Sequence, residues 1–321
     1  MTDGCTKGRA MREKILGVIY GTAIGDALGW PVEFCKEVTP SNRKVFPESV
    51  PVQYTDDTQM FRAVLEGMLR WSSPNWPASE RMGEHAISSA AEEIAEEFIA
   101  WSKSPENNRA PGGSCMAGCR NLAEGKPWRE SGVSSGGCGT AMRSMAYGLW
   151  FYDDPGHAAR WAASHAVMTH TQPCAQAAAA AVAAGVSAAM QMNGGSPGRI
   201  IEPVLTAADA WDQYTNVMLC DAAQSYRKSA DDILERWKGW AGHEAVAASL
   251  WCFLHHPDDF ESAVLTAVNS PGDSDSLGAI TGAFVGARVG INGIPKRWVQ
   301  QVEDSAGLEV LASRVCKRLG L

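Results

Sequence analysis

Two short acidic clusters, one in each half of the chain, carry the side chains best suited to chemistry. Each combines two carboxylates with neighbouring hydroxyl groups directly before an apolar, helix-like pattern. The first contains Thr55, Asp56 and Asp57, and the second contains Asp273, Asp275 and Ser276. Carboxylates this close repel each other unless a cation neutralises them, and hard oxygen ligands suit Mg²⁺ or Mn²⁺. If the two loops converge, they supply enough oxygen ligands for two divalent ions.

The same residue types are also typical of helix starts, an alternative that the sequence leaves open. Thr55 or Asp56 can cap the helix predicted over residues 60–71, with Asp57 favouring its first-turn dipole. In the second cluster, the Asp-x-Asp spacing can form an Asx-turn and an N-cap before the helix predicted over residues 277–289. The presence of two matched clusters favours the metal site.

A glycine-rich segment over residues 134–143 is a candidate anion site. It contains Ser135, Gly136, Gly137, Cys138 and Gly139 and runs into a predicted helix. Such a turn presents backbone N–H groups to an anion, which suits a diphosphate. It is not a Walker A loop, because no Gly-Lys-Ser/Thr follows, and not a dinucleotide fingerprint, because no strand pattern precedes it. The alternative is a plain turn and helix start.

The N-terminal apolar segment contains two further carboxylates in informative positions. Its glycines recur at every fourth residue and give a smooth helix face that another helix or loop can approach closely. They are Gly21, Gly25 and Gly29. Asp26 lies in the same segment and needs a hydrogen-bonding partner or water. Glu33 follows Pro31, which ends the helix, so its carboxylate can project into a cleft.

The histidines offer weaker candidates. A histidine in an apolar helix is usually a hydrogen-bonded core residue, and of His165 and His170 the second is better placed to reach a site at a helix end. Residues 255–259, with two histidines and two aspartates, have a metal-like composition. Because nothing nearby completes a coordination shell, we interpret them as a surface turn in which Asp258 caps the next helix.

The nine cysteines, an odd number, indicate reduced thiols in a cytoplasmic protein, since the N-terminus shows no signal peptide. Cys115 and Cys119 share a helix face and are a conceivable zinc pair. No second Cys or His pair has a zinc-like spacing, which favours simple packing. Most of the 12 tryptophans fall in predicted helices and are expected in the core, with one or two left to line a pocket.

The composition predicts a globular protein that does not bind nucleic acid. The 321 residues are 45% hydrophobic and 20% charged, with a net charge of −8 and no run of lysine or arginine. We expect no membrane span, because Asp26 interrupts the apolar stretch that begins at Ile15. The alanine-rich run over residues 174–190 is predicted to be a buried helix whose small side chains let neighbours approach closely.

The elements that must position these candidates are helices. Apolar residues recur every three or four positions over residues 91–101, 142–150, 157–167 and 245–254. Turn residues mark loops over residues 72–78, 104–113, 193–198 and 271–275. None of these loops is long enough to be a domain linker. We therefore predict a single all-α domain over residues 1–321, with a core of about residues 14–315.

Taken in order, these motifs resemble the ADP-ribosylglycohydrolase family, which includes ADP-ribosyl-arginine and ADP-ribosyl-serine hydrolases. The resemblance extends from Gly17 to about Gly290. It is carried by Gly25-Asp26-Ala27-Leu28-Gly29, Tyr54-Thr55-Asp56-Asp57-Thr58, Gly139-Thr140-Ala141-Met142-Arg143, Thr169-His170 and Gly272-Asp273-Ser274-Asp275-Ser276-Leu277-Gly278-Ala279. It implies a compact orthogonal multi-helix bundle with a binuclear Mg²⁺ or Mn²⁺ centre.

The resemblance also implies roles for individual residues. The metal ligands would be Thr55, Asp56, Asp57, Asp273, Asp275 and Ser276. The catalytic residues would be Glu33, Asp57 and Asp273, with Glu33 similar to a mobile glutamate that gates the substrate in serine-specific relatives. The substrate-binding residues would be Gly113, Ser114, Ser135, Gly136, Gly137, Cys138, Gly139 and His170.

Three positions depart from the family pattern. Ser276 replaces a threonine and keeps the hydroxyl ligand. Gly113 stands where nitrogenase-linked relatives have a catalytic aspartate, so their detailed mechanism does not transfer. Cys138 replaces an asparagine, which leaves the phosphate or ribose contact there to backbone amides.

The resulting functional hypothesis is a hydrolase that releases ADP-ribose from a modified protein side chain, with arginine as the favoured acceptor. Cleavage of the anomeric bond builds oxocarbenium-like charge, which metal ions and carboxylates can stabilise. The alternatives are an O-linked serine or small-molecule ADP-ribosyl substrate, a non-catalytic ADP-ribose-binding or toxin-binding immunity protein, and a metal-dependent phosphohydrolase. The loop over residues 104–113 is expected to shape the choice of acceptor.

Overall fold

The described parts of the chain form α-helices joined by loops. The computed structural model describes residues 2–49, 53–72 and 83–321, with side chains from residue 8 onward. The helices are α1 Thr2–Gly29, α2 Asp56–Trp71, α3 Glu84–Ser102, α4 Gly113–Ala123, α5 Ala141–Trp150, α6 Pro155–Ala166, α7 Pro173–Met190, α8 Ile201–Asp209, α9 Gln213–Gln224, α10 Ala230–Arg236, α11 Gly242–His255, α12 Phe260–Val268, α13 Ser274–Val289, α14 Lys296–Gln301 and α15 Ser305–Leu319. Short 3-10 turns occur at Trp30–Val32, Cys138–Thr140, Pro197–Ile200 and Ile291–Gly293.

The prediction of an all-α fold is confirmed. Across the described ranges the only β-type pairings are two isolated bridges, Val133 with His170 and Gly137 with Ala241. The four helical patterns found in the sequence fall within α3, α5, α6 and α11, except that α6 ends at Ala166. Most of the loop predicted over residues 72–78 lies outside the described residues.

Helices α1 and α13 pack closely against each other along their length. They run antiparallel, and glycines on both helices meet backbone to backbone, as at Gly21 against Gly282. At the end of this contact, the Ser274 hydroxyl donates a 3.0 Å hydrogen bond to the Gly29 carbonyl oxygen. The glycine face predicted for the N-terminal segment is therefore the contact that brings the start of α13 to the end of α1.

Two helical segments are long and apolar enough to cross a membrane by length and composition, yet both are mostly buried. They are Gly8–Val32 and Pro173–Met190, and 89% and 83% of their apolar windows are inside the molecule. Asp26 does not exclude the first segment by this test, contrary to the expectation from the sequence. The alanine-rich run is the buried helix α7, as predicted.

The interpretation of residues 255–259 needs one correction. Asp259, not Asp258, caps α12, because its carboxylate accepts a 3.0 Å hydrogen bond from the Ser262 amide. Asp258 instead pairs with Arg288 at 2.8 Å. Both ring nitrogens of His255 face backbone carbonyl oxygens, at 2.8 and 3.1 Å. This turn is thus held by contacts with the adjoining helices, with Arg288 and with the Tyr226 carbonyl oxygen.

Candidate metal centre and substrate cleft

The N-termini of α2 and α13 carry the two acidic clusters. Thr55 caps α2, which places Asp56 and Asp57 in its first turn. Asp273 occupies the N-cap position of α13 but makes no capping hydrogen bond with its side chain, and Asp275 lies in the first turn. The carboxylates therefore lie at positive helix ends, and that of Asp273 is not used to cap its helix.

The carboxylate of Asp26 is hydrogen-bonded to the first acidic cluster. Its carboxylate accepts hydrogen bonds from the Thr55 amide and hydroxyl, both at 2.9 Å. It also accepts from the Thr58 amide at 2.9 Å and the Thr58 hydroxyl at 2.6 Å. The Thr55 hydroxyl lies 3.4 Å from Asp275 Oδ2. Asp26 thus has the partners that its burial requires and ties α1 to the start of α2.

Three carboxylates lie close enough to share one cation. Oxygen atoms of Glu33, Asp273 and Asp275 all lie within 4.8 Å of one another. Glu33 Oε2 and Asp57 Oδ2 are buried and have no hydrogen-bond partner. Unpartnered buried carboxylate oxygens are costly. A hard divalent cation fits this site, because it would give Asp57 Oδ2 a partner and neutralise the neighbouring carboxylates.

The electrostatics of the cluster support the same conclusion. Burial, and then repulsion from Asp275, raises the pKa of Glu33 to about 9. Burial raises the pKa of Asp56 to about 8 and that of Asp26 to about 7, again with Asp275 adding to the effect. Burial and the same neighbour raise the pKa of Asp57 and of Asp273 well above the ordinary value. So much negative charge in a buried site requires either protons or a cation.

The two clusters open onto one cavity of about 340 Å³. Its wall combines the carboxylates with the loop before α4, the glycine-rich segment and two aromatic side chains. The lining residues are Glu33, Phe34, Asp56, Asp57, Ala110, Pro111, Gly112, Gly113, Ser114, Cys115, Gly137, Cys138, Gly139, Met142, His170, Trp240, Asp273, Asp275 and Ser276. Of the predicted metal- and substrate-binding residues, Thr55, Ser135 and Gly136 are not among those that line it.

The glycine-rich segment is less open to an anion than its sequence predicts. The Gly137 amide donates to the Ser135 hydroxyl at 3.2 Å, and the Cys138 amide donates to the Trp240 carbonyl oxygen at 3.1 Å. The Gly136 carbonyl oxygen accepts from the Gly242 amide at 2.9 Å. Two of the amides expected to face a phosphate are therefore used to fasten the segment to itself and to the start of α11.

His170 and His165 have different surroundings. His170 lines the cavity, its Nδ1 lies 2.8 Å from the Thr169 hydroxyl, and burial together with Arg143 lowers its pKa to about 3, so the ring is neutral. His165 is buried in the core, where its Nε2 lies 2.9 Å from the Ile87 carbonyl oxygen. Only His170 is placed to contact a ligand.

The loop over residues 104–113 is fastened to the first cluster. The Gly112 amide donates a 3.0 Å hydrogen bond to Asp56 Oδ2. Arg109 forms a two-pronged ion pair with Glu303, at 2.5 and 2.8 Å, and also donates to the Tyr54 carbonyl oxygen. Sequence reasoning missed Arg109 and Gly112, and also Phe34 and Trp240, although it expected one or two tryptophans to line a pocket.

Two other candidates do not compete with this site. Burial raises the pKa of Cys115 to about 12 and that of Cys119 to about 11, so both remain neutral thiols and a zinc pair is disfavoured.

A larger cavity of about 590 Å³ lies along α6 and α8. It holds the carboxylates of Glu84 and Glu202, and Glu84 already pairs with Arg129 at 2.8 Å and Arg160 at 3.0 Å.

The chain matches a known protein family over nearly its whole length. The family model for ADP-ribosylglycohydrolases matches residues 8–320. The chain is 25% identical to the ADP-ribosyl-[dinitrogen reductase] glycohydrolase of Rhodospirillum rubrum, covering 94% of this chain and 95% of that protein. It is also 25% identical to the ADP-ribosylarginine hydrolase Tri1 of Pseudomonas putida (strain GB-1), covering 95% of this chain and 78% of that protein.

The fold is also found in solved structures. A chain of an ADP-ribosylglycohydrolase-related protein complex superposes with a TM-score of 0.68, covering 97% of this chain and 99% of that one. The two sequences are 22% identical, so this likeness bears on the fold alone.

Proposed function

The chain belongs to the ADP-ribosylglycohydrolase family, and on this premise we propose that it releases ADP-ribose from modified arginine side chains of proteins with the help of divalent cations. The observation that carries the proposal is the oxygen cluster of Glu33, Asp273 and Asp275 within 4.8 Å, at the base of a cleft that also contains Asp56 and Asp57. A non-catalytic relative would not need these carboxylates, and all of them are present.

We propose two Mg²⁺ or Mn²⁺ ions at this site. Their ligands would come from Thr55, Asp56, Asp57, Asp273, Asp275 and Ser276. Bound there, the ions would hold the ribose hydroxyls and stabilise the charge that develops as the anomeric bond breaks. Asp57 Oδ2, which is buried without a partner, is the strongest single candidate for a ligand.

The carboxylates of the cleft have two different roles in this proposal, proton transfer and positioning of the reacting groups. Asp57 and Asp273 are buried, whereas Glu33 is only partly buried. Once the cations neutralise the neighbouring carboxylates and Glu33 is ionised, we assign its unpartnered Oε2 the role of accepting a proton from the attacking water. The water oxygen then bonds to the anomeric carbon as the bond to the arginine nitrogen breaks, and the proton passes to that nitrogen. Asp57 and Asp273 then keep the reacting groups in position.

The choice of arginine as acceptor follows from relatives whose names state it, such as the ADP-ribosylarginine hydrolase Tri1. A serine-linked or small-molecule ADP-ribosyl substrate would use the same carboxylates. A metal-dependent phosphohydrolase would also use them, but it would release AMP rather than ADP-ribose.

The test is incubation with peptides ADP-ribosylated on arginine or on serine, in Mg²⁺ or Mn²⁺, with product identified by chromatography. We expect free ADP-ribose from the arginine-linked peptide and none in excess chelator. Asp57→Ala and Asp273→Ala should each abolish release while circular dichroism stays unchanged. Asp153→Ala, which removes an exposed carboxylate outside the cleft, should keep full activity. Full activity in either cleft variant, or in chelator, would contradict the proposal.

A further inference from the structure

An aromatic pair stands at the mouth of the cleft, and neither the sequence motifs nor the proposed chemistry accounts for it. Phe34 and Trp240 stack with ring centroids 5.3 Å apart and an interplanar angle of 20°. Both line the same cavity as the carboxylates. They are nevertheless 60% and 42% exposed, whereas the carboxylates deeper in the cleft are buried. Exposed large aromatic side chains beside a reactive site are typical of ligand contact.

Unusual backbone conformations occur at or beside both aromatic residues. Phe34 has a φ of +67°, in the left-handed region that non-glycine residues rarely adopt. Such conformations persist at functional sites, where the surrounding structure enforces them. On the other side, Gly239 has a φ of +90°, and the Trp240 carbonyl oxygen accepts a 3.1 Å hydrogen bond from the Cys138 amide. Two separate loops are thus bent so that their rings meet at the opening.

The charge of the cleft indicates what the rings would bind. Its lining contains five carboxylates, and no lysine or arginine is among the described residues that line it. Two divalent ions would still leave a negative charge, and the diphosphate of ADP-ribose would add more. The faces of aromatic rings carry partial negative charge, so they disfavour phosphate and favour a cation. A planar guanidinium satisfies both the rings and the field of the carboxylates.

We propose that Phe34 and Trp240 form the acceptor platform of this cleft, on which the guanidinium of ADP-ribosylated arginine stacks while the ADP-ribose occupies the more buried part. This inference rests on the proposed function. It makes the pair a determinant of acceptor specificity, because a serine-linked acceptor has no cation to place on the rings.

The experiment compares Trp240→Ala, Trp240→Phe and a control, Phe46→Ala, which removes an aromatic side chain that is 50% exposed and lies outside this cavity. Three quantities are measured in Mg²⁺: kcat/KM for an arginine-linked peptide, kcat/KM for a serine-linked peptide, and the Kd of ADP-ribose by calorimetry. Trp240→Ala should lower kcat/KM for the arginine-linked peptide by about tenfold, the range expected for loss of a cation–π contact. Trp240→Phe should restore most of it, and Phe46→Ala should match the wild type.

The other two measurements distinguish stacking of the guanidinium from other roles of the two rings. The Kd of ADP-ribose and any activity on the serine-linked peptide should stay within about twofold of the wild type. A tenfold increase in the Kd of ADP-ribose would show that the rings bind the adenine. Unchanged activity of Trp240→Ala on the arginine-linked peptide would show that they bind no part of the substrate. Either result would overturn the acceptor platform but not the proposed function. Wild-type protein that releases no ADP-ribose from either peptide would overturn the proposed function and the platform with it.

Discussion

Gly25 on α1 lies directly against Gly278 on α13, so closely that a Cβ on either residue would overlap the carbonyl oxygen of the other. The same relationship recurs one turn away, between Gly21 and Gly282. Because the two helices run antiparallel, this contact places the end of α1 beside the start of α13. It therefore brings the segment that carries Glu33 to the second acidic cluster.

This contact predicts that Gly25→Ala is strongly destabilising and weakens metal binding. The added methyl group cannot fit unless the two helices separate, and overpacking of this kind costs about 1–3 kcal/mol or more. The free energy of unfolding is measured in urea, and metal binding is followed through the rise in Tm on adding Mg²⁺.

The matched control is Gly8→Ala in the same helix, where an added Cβ has nothing within 4 Å. It should be neutral or stabilising by about 0.5–1 kcal/mol, because alanine favours the helix. Equal stability of Gly25→Ala and the wild type would show that the two helices are not locked together at this point.

The sequence predicted each half of this arrangement but not their pairing. The spacing of Gly21, Gly25 and Gly29 predicted a smooth helix face, and the apolar pattern that follows Asp273 predicted α13. Gly278, Gly282 and Gly286 have the same four-residue spacing, which was an available and unused signal. The local sequence around either set of glycines does not specify which helices pair or in which register. That depends on contacts between residues that are more than 250 positions apart in the chain.

Long-range contacts also explain what sequence reasoning missed around the cleft. The glycine-rich segment has the composition of an anion-binding turn, but its amides meet Ser135 and the Trp240 carbonyl oxygen. Arg109 acquires its significance through Glu303 and the Tyr54 carbonyl oxygen, which lie 194 and 55 residues away in the chain. Residue types and spacing identified the carboxylates because their chemistry is local, whereas the fastening of the loops depends on the tertiary fold.

Asp57→Asn should separate stability from metal binding. Asp57 is buried among like charges, and burial and these neighbours raise its pKa well above the ordinary value. Removing its charge should raise the Tm of the metal-free protein by a few degrees, roughly 2–4 °C per kcal/mol for a chain of this size. The same change should abolish the rise in Tm on adding Mg²⁺, because a ligand is lost.

The control for this experiment is Asp153→Asn, an exposed position outside the cleft. It should leave both measurements unchanged. A Mg²⁺-dependent rise in Tm of wild-type size in Asp57→Asn would remove this residue from the set of ligands, whatever happens to the metal-free protein.

Arg109→Gln should raise KM more than it lowers kcat. Arg109 fastens the loop that donates the Gly112 amide to Asp56, and Ala110 beside it is held at a φ of +47°. Without the ion pair to Glu303, the loop can relax away from the wall of the cleft. We expect an increase in KM of about tenfold, because the loss of a partly buried, two-pronged ion pair costs about 1–3 kcal/mol.

Arg109→Lys tests the geometry, since lysine keeps the charge but not the planar fork and should recover only part of the loss. Arg12→Gln is the control, because Arg12 pairs with Glu309 at 3.1 Å on the exposed surface, where ion pairs contribute little. A loss confined to kcat would place Arg109 in the chemical step rather than in positioning.

His165 makes the stability of the core sensitive to acid. The ring is buried beside Trp161 and Trp128, and the Tyr147 hydroxyl lies 2.9 Å from its Nδ1. Burial, reinforced by the charges of Arg143 and Arg129, lowers its pKa from 6.5 to about 4. The folded state therefore accepts only the neutral ring.

The lowered pKa fixes the sign and the pH window of the effect. Above the unfolded pKa of 6.5, both states are neutral and the stability is complete. Between 6.5 and about 4, only the unfolded chain takes up this proton, so the contribution of His165 to stability falls by roughly 3 kcal/mol as the pH falls. Below that window the contribution of His165 does not change further. In His165→Gln the difference in unfolding free energy between about pH 7 and about pH 4.5, measured in urea, should shrink by most of that amount. The exposed His85→Gln variant controls for removing one imidazole, and equal pH profiles for His165→Gln and the wild type would exclude His165 as the source.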